Sequence, residues 1–144
     1  MLEPFNEDHL NDVYMIERSS FLRPWSKDQF SSYCGSQLNS KSFVYLKHEH
    51  IIGYLMSHKI LEEVHLHNIV IHEDYRRKGF GTRMILDFIA ILKSQSIKKI
   101  CLEVKNSNIS AIEFYISHNF NAVGERKDYY QDGSNAILMD RVIE

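Results

Sequence analysis

A chain of 144 residues with 44% hydrophobic and 25% charged residues is expected to form one domain, spanning residues 1–144, with a substantial core. A formal net charge of −2 gives no global attraction to nucleic acid or anionic membrane, and no apolar run approaches bilayer-spanning length, so neither partner is expected. The N-terminal MLEPFNEDHL lacks a basic-then-apolar signal pattern, and two distant cysteines, Cys34 and Cys101, lack metal-ligand spacing, so a reduced, cytoplasmic setting is expected.

Residues 2–5 read as a short opening strand. Asn6 or Asp8 can cap a helix whose apolar positions, Leu10, Val13, Tyr14 and Ile16, have helical spacing. Phe21-Leu22-Arg23-Pro24-Trp25 reads as a loop, because Pro24 disfavours helix at Arg23. Ser26 with Gln29 three residues on forms a capping box and starts a second short helix. Trp25, the single Trp, is either a core anchor or one wall of a substrate groove. Residues 42–47 and 51–58 are β-rich, with His48-Glu49-His50 as a hairpin turn between them.

Residues 64–71 form the next strand, and they lead into the most informative stretch of the chain. Ile69-Val70-Ile71 runs through a polar turn to Arg76-Arg77-Lys78, then Gly79-Phe80-Gly81-Thr82 opens an apolar-periodic helix over about 80–94. Two glycines let a ligand approach the backbone, and the free amides of a first helical turn favour an anion. Strand, glycine loop and helix N-terminus together make a phosphate cradle. The order Gly-Lys-Ser/Thr of a Walker loop and the third glycine of a dinucleotide fingerprint are both missing. Met84, Ile85, Phe88, Ile89 and Leu92 give the helix a broad apolar face for packing on a sheet.

Lys98–Val104 is the next strand, expected parallel to 64–71 across a right-handed crossover. Ser107 or Asn108 begins a helix to about His118 with Asn108, Ala111, Ile112 and Tyr115 on one face. Strand 121–131, interrupted at Gly124, turns at Asp132-Gly133 into strand 135–143. The expectation is a mixed α/β (α+β) sheet of about seven strands with about four helices packed on it.

Arg76-x-x-Gly79-x-Gly81 resembles the pyrophosphate loop of the GNAT acetyltransferases, and the likeness continues through Leu102-Glu103-Val104, Asn106, Asn108, Ala111-Ile112, Phe114-Tyr115 and Asn119-Phe120. Asn119 stands where that family usually has Gly, a change compatible with a left-handed helix cap. Arg23-Pro24-Trp25-Ser26, Leu61-Glu62-Glu63 and Arg126-Lys127-Asp128-Tyr129-Tyr130 resemble, more narrowly, the RimI-type ribosomal-protein-alanine N-acetyltransferases. The resemblance implies the GNAT fold, acetyl-CoA as donor, no metal, and the N-terminal alanine of a small-subunit ribosomal protein as acceptor. It further implies a cofactor site at Ile69, Val70, Ile71, Arg76, Arg77, Lys78, Gly79, Phe80, Gly81, Thr82 and Asn108. It makes Glu103 the base and Tyr115 the acid, with Trp25, Tyr129 and Tyr130 around the peptide.

The residues themselves leave other readings open. By pattern alone Glu103 is an alternate-face residue of a half-buried strand, and a sheet-centre position would raise its proton affinity. Tyr115 is equally a core aromatic, Asn108 a plain helix cap, and Tyr129 and Tyr130 ordinary strand aromatics. Glu17, Glu62 and Glu63 read as solvated surface, with attraction of a basic peptide as the alternative. His65, His67 and His72 invite a metal site, yet eight scattered histidines make coincidence the simpler account. Rival functions are acetylation of a lysine side chain or polyamine, or acyl-CoA binding without catalysis. A monomer is the default.

Overall fold

The computed structural model describes residues 1–144. Strands are β1 (Leu2–Pro4), β2 (Phe43–Lys47), β3 (His50–Ile60), β4 (Glu63–Ile71), β5 (Lys99–Lys105), β6 (Asn121–Arg126) and β7 (Ala136–Val142); helices are α1 (Leu10–Ser20), α2 (Lys27–Ser31), α3 (Phe80–Ser94) and α4 (Ile109–Ser117). The strands make one seven-stranded sheet in the order β1-β2-β3-β4-β5-β7-β6. Only β4 and β5 are parallel, joined through α3. The expected mixed sheet with four helices is what forms.

Local chemistry accounts for the boundaries. Asn6 caps a 3₁₀ turn that leads into α1, accepting from the Asp8 amide at 2.9 Å. The Ser26–Gln29 capping box starts α2, with side-chain to amide bonds of 3.1 and 2.8 Å. His48 and Glu49 both take positive φ, the two-residue turn whose twist matches a hairpin. Asn119, with φ 66°, closes α4 as the left-handed cap.

Two hydrophobic clusters sandwich the sheet. Met84, Ile85, Phe88 and Leu92 of α3 pack with Val64, Leu66, Ile100 and Leu102 on one face, all buried. On the other face α1 and α2 bring Val13, Ile16 and Phe30 against Val44, Tyr54, Met56 and Val70. Beyond these two helices the second face carries His65, His67, Lys99, Cys101, Glu103 and Asp140 along a groove.

Two features of β4 shape that groove. Met56 pairs with Asn68 but Ser57 pairs with Leu66, so His67 is an extra residue, a bulge. The bulge reverses the alternation: Val64 and Leu66 face α3 before it, and Ile69 and Ile71 pack on that same cluster after it. Pairing of β4 with β5 then stops at Leu66↔Leu102. Past that point the strands part, and the β5-facing edge of Ile69–Ile71 is left without a strand partner.

One sequence expectation fails here. The strand expected over 121–131 ends at Arg126, and Tyr129 and Tyr130 lie in a loop. Side chains replace the ladder. The Asp128 amide donates to Asn135 Oδ1 at 2.9 Å, and the Ser134 amide to Asp132 Oδ1 at 2.9 Å. The Asp132-Gly133 turn itself forms, with Gly133 at φ 83°.

Candidate active site

Three connected depressions cross the sheet where β4 and β5 part. The first, about 530 Å³, lies between the loop after β4 and α4, lined by Ile69–Ile71, Arg76, Gly79, Gly81 and Thr82. The second, about 840 Å³, sits in the gap itself and carries Glu103, Asn108 and Tyr115. The third, about 490 Å³, opens on the groove face among Trp25, His65, Cys101, Tyr129 and Tyr130. Tyr115 and Asn108 line the first two, and Glu103 and Tyr130 the last two, so one channel runs through.

The first depression has the donors of an anion site. Gly79 adopts φ 83° as the N-cap of α3 and supplies no side-chain cap. The first intrahelical bond runs from the Arg83 amide to the Gly79 carbonyl, 3.1 Å, so the Phe80, Gly81 and Thr82 amides point out of the helix free. A Cβ on Gly81 would meet the Phe114 ring at 3.5 Å, ordinary contact, so its value is space on the ligand side rather than relief of strain. Of the three cations, Arg76 is already engaged. Its Nε donates to the Ile71 carbonyl at 2.8 Å and its Nη2 to Ser20 Oγ at 3.1 Å, tying the loop to β4 and α1. Lys78 donates to the Asp74 carbonyl at 3.2 Å. Arg77, exposed with φ 61°, is the cation left free.

In the central cavity Tyr115 is 8% exposed, and burial raises its phenol above the usual tyrosine range. The hydroxyl is therefore a proton donor at any working pH. Asn108 caps α4, accepting from the Ala111 amide at 3.3 Å, and also borders the gap. Both readings of Asn108 are thus compatible with its place.

Glu103 is not buried at the sheet centre. Its side chain is 33% exposed and lies 3.3 Å from Arg126 Nε. It faces the groove, and its carboxylate holds the Tyr129 phenol above the usual range. Tyr130 is raised too, by burial first and then by Glu103. The Arg23 guanidinium donates to Gln131 Oε1, so the Phe21–Trp25 loop and the Tyr129–Asp132 loop meet across the channel.

Trp25 packs as a core anchor and also borders the groove. It stacks near Phe30 and Tyr33, with centroids 5.1 and 5.6 Å away, while its outer face lines the groove. The group that fixes its loop is one the sequence places elsewhere. Glu17, expected at the surface, is 2% exposed. It accepts from the Trp25 amide at 2.8 Å, the Tyr54 hydroxyl at 2.6 Å and Asn68 Nδ2 at 2.9 Å. A carboxylate at one end of an α1 face that also carries Val13 and Ile16 was the available signal. Glu62 is exposed, as expected.

Burial and the neighbouring Glu63 push the Cys101 thiol up to about 11, which leaves it protonated and no nucleophile at neutral pH. Burial, then the charges of His58 and His65, lowers His67 to about 4. His72 lies apart, its Nδ1 capping the turn after β4.

A glycine-loop amide cradle feeding a parted pair of parallel strands is the layout of an acyl-transfer domain, and the acetyltransferase (GNAT) family model matches residues 10–120. The chain belongs to that family and is an acetyltransferase. Among its relatives is the [ribosomal protein bS18]-alanine N-acetyltransferase of Haemophilus ducreyi, 32% identical over 96% of this chain and 97% of that one. The Escherichia coli K12 enzyme of the same name is 32% identical over 88% and 86%. The crystal structure of the ribosomal-protein-S18-alanine N-acetyltransferase from Escherichia coli superposes with a TM-score of 0.92, at 29% identity over 100% of this chain and 94% of that one.

Proposed function

We propose that this protein transfers the acetyl group of acetyl-CoA to the α-amine of an N-terminal alanine of a small-subunit ribosomal protein. The observation that carries the reading is the channel: an amide cradle at one end, an aromatic groove at the other, and Glu103 and Tyr115 on the one cavity between them. The names of the full-length relatives supply the acceptor.

The pyrophosphate of acetyl-CoA sits on the Phe80, Gly81 and Thr82 amides beside Arg77, with Gly79 giving the turn and Arg76 and Lys78 holding the loop. The pantetheine arm lies along the open edge of Ile69, Val70 and Ile71 as an added strand, with Asn108 on its far side. An amide of that edge polarises the acetyl oxygen. The acceptor enters past Trp25, Tyr129 and Tyr130. An α-amine has a pKa of about 7.7–8.0, so much of it is neutral near physiological pH. The amine nitrogen attacks the thioester carbonyl in a ternary complex. Glu103 takes a proton from the attacking amine, through water across the open groove. The C–S bond breaks and Tyr115 gives its proton to the departing thiolate.

Acetyl transfer to a peptide beginning Ala-Arg-Tyr, compared with the same peptide N-terminally blocked and carrying a free lysine, tests the acceptor. Transfer to the free α-amine alone is expected. Transfer to lysine, or to a polyamine only, overturns it. With folding intact, Glu103→Gln and Tyr115→Phe are each expected to lower kcat by about 10²-fold or more. Near-normal kcat in both removes the assigned acid and base.

A further inference from the structure

Upstream of Glu103 on the same groove face, three side chains of different chemistry converge. Glu63 and His65 come from β4 and Cys101 from β5, where His65 and Cys101 are directly paired. Their ligand atoms all lie within 4.8 Å of one another. Glu63 Oε2 is 3.7 Å from His65 Nε2 and 3.5 Å from Cys101 Sγ. Zinc bonds of about 2.0–2.3 Å at tetrahedral angles place neighbouring donor atoms about 3.3–3.8 Å apart. The two separations from Glu63 are already close to those edges, and His65 and Cys101 lie within 4.8 Å of each other.

From this geometry we infer that Glu63, His65 and Cys101 form a zinc-type transition-metal site at the acceptor end of the channel, and that an ion held there obstructs the acceptor. Mixed oxygen, nitrogen and sulfur donors select a borderline-soft ion over magnesium or calcium, and the ion displaces the Cys101 thiol proton to solvent as the metal–sulfur bond forms. All three residues are partly exposed, so an ion can reach them. The carboxylate is held from behind. Lys99 Nζ takes the other oxygen, Oε1, at 3.2 Å and lies 3.7 Å from Asp140, leaving Oε2 turned toward His65 and Cys101. Outer contacts of this kind orient metal ligands. His58 stacks on the His65 ring with centroids 5.4 Å apart and fixes it side-on. Three protein ligands leave the fourth position to water, facing the groove. Cys101 and Glu103 are two residues apart on one face of β5, roughly 7 Å. A hydrated ion at Cys101 therefore occupies space that the acceptor needs beside Glu103. Binding stands on the side-chain geometry alone; the obstruction rests on the function proposed above.

Cobalt(II) titration of the reduced full-length chain tests the site. Expected are one equivalent bound, the strong visible bands of tetrahedral cobalt, a thiolate-to-cobalt charge-transfer band, and displacement by zinc. Cys101→Ser is expected to abolish the charge-transfer band and His65→Gln to weaken binding at least about tenfold, with His72→Gln unchanged. Absence of stoichiometric binding, or a charge-transfer band that survives in Cys101→Ser, overturns the site. The obstruction is read as the ratio of acetyl-transfer rates with and without zinc, expected well below one for the wild type and near one for Cys101→Ser. Equal ratios with binding intact overturn the obstruction and leave the site standing. If no amine is acetylated at all, the function has failed, and the cobalt spectra still decide the metal site.

Discussion

Replacing Glu17 by Gln tests whether one buried carboxylate holds the Trp25 loop, the proposed acceptor wall, in place. Its two oxygens accept three donors: Tyr54 Oη and Asn68 Nδ2 on Oε1, and the Trp25 amide on Oε2. A glutamine has one acceptor oxygen. With that oxygen toward Tyr54 and Asn68, its NH₂ confronts the Trp25 amide. Turned round, it satisfies Trp25 and can donate to the Tyr54 oxygen, but Asn68 Nδ2 then faces a second donor. Either way at least one donor is orphaned in a region where Glu17 is 2% and Tyr54 0% exposed. An orphaned buried donor costs about 1–3 kcal/mol, or roughly 4–8 °C in Tm for a loss of about 2 kcal/mol in a chain of this size. Glu17→Ala orphans all three and is expected to exceed about 3 kcal/mol on the same scale. Urea denaturation followed by Trp25 fluorescence gives both values, with an unchanged m confirming that the comparison is sound. Because Glu17→Ala removes the bond that anchors the Trp25 loop, its KM for the peptide is expected to rise more than its kcat falls. A Glu17→Gln protein as stable as wild type, or a Glu17→Ala protein with an unchanged peptide KM, would refute the reasoning.

The remaining predictions concern the channel and its supports. Gly79→Ala puts a Cβ at φ 83° where it touches nothing within 4 Å, so only backbone strain of roughly 1–2 kcal/mol is introduced; a higher KM for acetyl-CoA with kcat retained is the expected kinetic result. Gly53→Ala is a steric case, since its Cβ would sit 2.7 Å from the Val70 carbonyl oxygen. It is expected to lower the urea midpoint by at least about 1–3 kcal/mol equivalent and to weaken acetyl-CoA binding, because β4 must shift. Burial raises the Tyr115 phenol, so it stays protonated beyond the pH of about 10 where a free tyrosine ionises. The kcat profile is therefore expected to show no alkaline fall from this group near pH 10; a fall there that vanishes in Tyr115→Phe contradicts its proposed role as a buried acid.

Much of the architecture is legible in the sequence because it is written in local patterns. The apolar face from Met84 to Leu92, the capping box at Ser26 and the glycines bracketing Phe80 each depend on residues within a turn or two of one another. They define their elements whatever else the chain does. The strand–loop–helix cradle is local in the same sense, and so the backbone at that end of the channel can be anticipated from the sequence. The stretch 127–131 reads as strand but folds as a loop, because its β-prone tyrosines compete with Asp132 and Asn135, whose side chains accept from the Ser134 and Asp128 amides and close the loop on itself.

What only the tertiary structure decided is which residues meet. The bulge at His67 depends on how β3 and β4 pair, and no window of sequence reports a register shift in a partner strand. Pairing of β4 with β5 stops at Leu66↔Leu102, and Glu103, Asn108 and Tyr115 line one cavity beside that gap. Glu17 reads as surface until the Trp25 amide, Tyr54 and Asn68, up to 51 residues away, enclose it. Glu63, His65 and Cys101 lack metal spacing along the chain and converge only because parallel pairing sets position 65 beside position 101. Periodicity and caps act over a few residues and survive in the sequence. Register, burial and the meeting of side chains are properties of pairs distant along the chain, and they exist only once it has folded.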